Sequence, residues 1–64
     1  MKNYKLYNIG DKVEIVRTHG DDLGMVGAII EVRHSFCKIQ LPKNNPQNGK
    51  PIIVNHTYGQ FKKL

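Results

Sequence analysis

The punctuation of this chain limits its fold more than any other feature. Short Val/Ile-rich runs are interrupted by Gly10-Asp11, by Gly20 to Gly24, by His34-Ser35, by the polar stretch from Pro42 to Lys50, and by Gly59. No segment between these breaks is long enough for a helix with apolar residues spaced three and four apart. Several show the alternation of half-buried strands. The pattern predicts an all-β domain of five short strands.

The first strand is expected over residues 12–17, with Val13 and Ile15 inward and Glu14 outward. The second covers about residues 25–33. There Ala28, Ile30 and Val32 alternate while Val26 and Ile29 are also apolar, and two overlapping phases imply a bulge or sharp bend, as small barrels require. The third runs over 36–41 with Cys37, Ile39 and Leu41 on one face and Lys38 and Gln40 on the wet one. A polar loop follows over 42–50, in which Asn48-Gly49 signals a type I′ turn. The fourth strand is Ile52-Ile53-Val54, a single 3₁₀ turn fits residues 56–60, and a short fifth strand closes the domain over 61–64. Residues 1–8 form an N-terminal arm whose Tyr4, Leu6 and Tyr7 either pack across the barrel or line a peptide groove, with packing the leading expectation; residues 9–64 form the barrel.

At 64 residues the chain holds one domain, and folding buries only about 60% of the surface exposed by the unfolded chain. That leaves little room for a deep substrate cavity. The single cysteine, Cys37, rules out an intramolecular disulfide. The N-terminus lacks the apolar run of a signal peptide, and no apolar run approaches the ~20 residues of a membrane span. A reduced, cytoplasmic setting without a membrane partner is the expectation.

Charge is divided along the chain. The formal net charge is +5. All five acids (Asp11, Glu14, Asp21, Asp22, Glu31) fall in residues 1–31, against four bases; residues 32–64 hold six bases and no acid. A one-signed half attracts phosphate or an acidic protein surface.

A family pattern joins these observations. Gly10-Asp11-Lys12-Val13-Glu14-Ile15 resembles the "GDxVxV" opening of KOW segments, and the series Gly20, Gly24, Gly27, Ile29 is similar to the glycine ladder that ends them. The resemblance covers about residues 9–32, and Phe61-Lys62-Lys63-Leu64 resembles the finish of SH3-like barrels. KOW segments occur in large-subunit ribosomal proteins and NusG-type elongation factors. The resemblance implies a five-stranded SH3-like barrel and binding to RNA or a nucleoprotein machine. The Asp21-Asp22 carboxylates would repel phosphate, so contact is expected from the basic second half.

The candidate nucleic-acid contacts are Arg33, His34, Lys38, Lys43, Lys50, Lys62 and Lys63, with Tyr58 either stacking on a base or packing under the barrel end. Asn44, Asn45, Gln47 and Asn48 add hydrogen-bonding groups beside Lys43 and Lys50. His19, His34, His56 and Cys37 form no metal-ligand spacing. Cys37 alternates with Ile39 and Leu41 as a small buried hydrophobe, and Asp21 and Asp22 suit a turn. The glycines lack the Gly-Lys-Ser/Thr ending and following helix of a phosphate loop. No catalytic residue, metal or cofactor is expected. The leading expectation is a non-enzymatic nucleic-acid or ribonucleoprotein-binding protein, with RNA ahead of DNA. The alternative is a protein-interaction module, a small subunit or inhibitor of the size a phage encodes, docking on a larger complex.

Overall fold

A computed structural model describes residues 6–64. They form five antiparallel strands: β1 (Lys12–Ile15), β2 (Val26–Val32), β3 (Phe36–Asn44), β4 (Pro51–Thr57) and β5 (Phe61–Lys63). All belong to one sheet in the order β4-β3-β2-β1-β5. The fold is all-β, and no helix among the described residues is long and apolar enough to cross a membrane. Residues 1–5 of the expected arm, including Tyr4, lie outside the described residues.

Alternation builds the core. Val13 and Ile15 from β1, Ile29 from β2, Cys37, Ile39 and Leu41 from β3 and Phe61 from β5 are all buried in one cluster. Tyr7 joins its margin: its ring lies 5.1 Å from that of Phe61 and 5.6 Å from that of Tyr58. The doubled apolar phase of β2 resolves as expected. The register against β3 slips between Ile29 and Glu31, so Ile30 is the extra residue of a β-bulge.

The sheet is curled, and chain geometry requires it. In a flat five-stranded sheet the edges stand four spacings apart, roughly 19 Å. Here β4 and β5 are those edges, yet only residues 58–60 join them. The four Cα steps from Thr57 to Phe61 span at most about 14 Å, and a hydrogen bond from Gln60 N to Thr57 O shortens the path further. The two edges therefore approach each other at this end. Among the described residues no ladder joins β4 to β5, so the expected barrel takes the form of a curled sheet tied at one end by a turn.

Several local expectations need correction. Residues 57–60 make a β-turn in place of a 3₁₀ turn, with Gly59 at φ +102° in its third position, the pattern of a type II turn. Asn48-Gly49 is not a type I′ turn, which needs positive φ at both residues; only Gly49 has it. The hairpin instead closes through Asn45 N to Lys50 O and Gly49 N to Asn45 O. β1 ends at Ile15, two residues early, because residues 16 and 17 leave β2 and donate to Gln60 O. β3 and β4 are longer than their apolar signals. Pro42 does not end β3, since it sits where the β3–β4 register slips between Gln40 and Asn44 and no ladder donor is demanded of it.

Candidate nucleic-acid interface

The β1–β5 ladder brings the two charge halves of the chain together. Glu14 faces Lys62 directly across it, and the side chains approach to 3.8 Å; Lys63 lies 3.3 Å from Asp11. The backbone N–H of Asn8 donates to Asp11 Oδ2. That bond, with Lys63 and against a smaller effect of burial, holds the Asp11 carboxyl below the usual carboxylate range. Lys62 and Lys63 thus sit beside acids, in exposed pairs that solvent and salt screen.

Arg33 and His34 occupy the connection between β2 and β3. The Arg33 guanidinium donates to Glu31 Oε2 at 2.6 Å and stands 6.0 Å from the centre of the half-buried Phe36 ring. Tyr58 supports this turn from below. Its hydroxyl donates to the Arg33 carbonyl at 2.6 Å and accepts from Cys37 Sγ at 3.5 Å, while its ring packs on Tyr7 and Phe61. Of the two expectations for Tyr58, packing is the one this geometry serves.

Lys38 lies on the solvent face of β3 between Glu31 of β2 and Asn55 of β4. Lys43 and Lys50 stand at the β3–β4 hairpin, both exposed. Its loop is held by two Asn side chains: Asn45 Oδ1 accepts from Gln47 N, and Asn48 Oδ1 from Lys50 N. The candidate cations are therefore spread over three places: the β2–β3 turn, the face of β3 with its hairpin, and β5.

Sorting charges by contact adds residues that position along the chain does not reveal. Asp11, Glu14, Asp22 and Glu31 each have a basic partner. Lys12, Arg17, Lys38, Lys43 and Lys50 are in no ion pair among the described residues, and Asp21 is the matching acid. Lys12 and Arg17 come from the half that looks balanced in sequence.

The sequence also conceals a buried polar contact. Asp22, expected as a turn former, lies in the turn but is also buried, and His56 Nε2 lies 2.7 Å from its Oδ2. Burial works to raise the Asp22 carboxyl, but hydrogen bonds from His56, the backbone and Thr18 outweigh it, and the group sits below the usual range. The contact ties the loop between β1 and β2 to β4. Beside it lies a hollow of about 230 Å³ floored by Leu41, Ile52 and Val54 and rimmed by Asp21 and Lys43. On the opposite face a shallow hollow of about 520 Å³ is lined by Lys12, Val26, Ala28, Gln40, Pro42 and Leu64. Among the described residues no three His, Cys, Asp or Glu side chains are grouped to hold a metal ion.

Comparison with protein-family models, with curated proteins and with solved structures finds no match to this chain.

Proposed function

We propose that this is a non-enzymatic, cytoplasmic nucleic-acid-binding protein that holds the phosphate backbone through its β3–β4 hairpin, with RNA ahead of DNA. One observation carries the reading. Once acids and bases are paired in space, the unpaired charge among the described residues is one-signed apart from Asp21, and two of the remaining cations, Lys43 and Lys50, flank a loop rich in Asn and Gln. Cations beside amide donors suit phosphate oxygens, and such contacts bind without reading sequence. The Tyr58 ring packs on Tyr7 and Phe61, so this reading rests affinity on charge rather than on stacking. The KOW-like character of residues 9–32 belongs to the same proposal and supplies the preference for RNA.

Titrating labelled single-stranded RNA and DNA with the protein at increasing salt tests this. Affinity should fall linearly on logarithmic axes. Charge reversal at Lys43 and Lys50 together should weaken binding to all sequences and flatten the slope by about one per lysine. Reversal at Lys62 and Lys63, which already face Glu14 and Asp11, should matter less. No binding at low salt, or binding indifferent to salt, defeats the reading and leaves the docking alternative.

A further inference from the structure

The two edges of the sheet are built differently. β5 offers three residues, two of them lysines. Short, lysine-bearing edges are a means of refusing foreign strands. β4 offers seven residues, Pro51-Ile52-Ile53-Val54-Asn55-His56-Thr57, without a single Lys, Arg, Asp or Glu. One side of β4 is laddered to β3, and no strand covers the other among the described residues. Ile53 is half exposed on the solvent face, while Ile52 and Val54 line the hollow on the other. Pro51 guards only the first position, and from Ile53 to Thr57 the ladder to β3 is regular.

Charge along this edge is polar. At its C-terminal end the loop carrying Asp21 and Asp22 is fastened to His56. At its N-terminal end stands Lys50. An antiparallel copy of the same edge brings the acidic end of each chain to the basic end of the other, twice over. Opposed antiparallel residues share a face, so a two-fold axis at Ile53 sets Ile53 against Ile53, Ile52 against Val54, and Lys50 against His56 with its attached Asp22. No charge within the strand is buried.

We propose that β4 is a self-association edge: two copies join antiparallel through β4 into one continuous sheet, with the axis at Ile53. Lys38 stays on the solvent face of each copy, whereas Lys50 is drawn to the facing copy, so in the dimer the hairpin's proposed hold on phosphate rests on the exposed Lys43. At physiological salt the screening length is about 8 Å, so the net positive charges of the two bodies are damped while the facing ends attract.

Sedimentation velocity of the whole chain over rising concentration tests this. The mass should move from 7.3 kDa toward twice that value. Ile53→Lys should hold it at the monomer mass with an unchanged circular dichroism spectrum, whereas Val26→Lys, at another exposed apolar site, should leave association intact. Ile53→Cys should give a disulfide-linked dimer on mild oxidation and Val26→Cys should not, since opposed residues lie about 4.5–5.5 Å apart. Asp21→Lys and Lys50→Asp should each weaken association, and the double variant should recover it. A chain still at 7.3 kDa at ~1 mM overturns the proposal and leaves the edge to a foreign strand. A dimer indifferent to Ile53→Lys, or cross-linked through Val26→Cys, also overturns it.

Discussion

Gly27 shows what a single position can decide. A Cβ built there would stand 2.6 Å from Ile39 Cγ2 and 2.8 Å from the Gln40 carbonyl oxygen. The methyl could turn aside; the backbone oxygen is fixed in the β2–β3 ladder. Gly27→Ala should therefore destabilise the fold by about 1–3 kcal/mol through overpacking, read as a lower urea midpoint at unchanged slope. Gly24 acts differently: its φ of +84° is the third position of the turn over residues 22–25, closed by Met25 N to Asp22 O. Glycine spacing at 20, 24 and 27 was legible in the sequence as a sign of a turn and a bent strand. Which glycine serves conformation and which serves close approach was not, because the neighbour that crowds Gly27 belongs to another strand.

Strands were legible to the extent that one face is apolar. β1 and the first half of β3 alternate cleanly, and the doubled phase of β2 announced its bulge. The ends of β3 and β4 were hidden because Pro42, Lys43, Asn55 and Thr57 are exposed and carry no apolar signal. The contact of Asp22 with His56 was beyond any local pattern, since it depends on how the β1–β2 loop folds over β4. Its consequence is a pH dependence of definite sign. The Asp22 carboxyl is lowered in the folded state relative to about 3.9 in an unfolded chain, so the unfolded state binds more protons in that range. The stability it supplies is complete above pH ~5 and is lost as pH falls through 4 and below the folded value. Asp11, lowered as well, acts in the same direction. Urea midpoints should therefore decline on acidification, and Asp22→Asn should flatten part of that decline while lowering stability at neutral pH.

The whole molecule depends on joining its early and late strands. Stability for 64 residues is on the order of 3–10 kcal/mol. Phe61 is buried on β5 between Tyr7 and Tyr58 and packs with the residues of β1. Phe61→Ala should cost about 3–5 kcal/mol, a large share of the total, and thermal melting by circular dichroism should show a steep fall or a chain already partly unfolded at 25 °C. The same pairing explains why charge segregation along the sequence was a poor guide to the surface: β5 delivers Lys62 and Lys63 to the acids that precede and compose β1. It also sets a schedule for vectorial synthesis. During translation β1 emerges first and obtains β2 on one side, but its other side has no partner until Phe61 to Lys63 has been made. Until β5 is made the nascent β1 carries an unfinished edge, and cooperative folding of the domain waits for that strand.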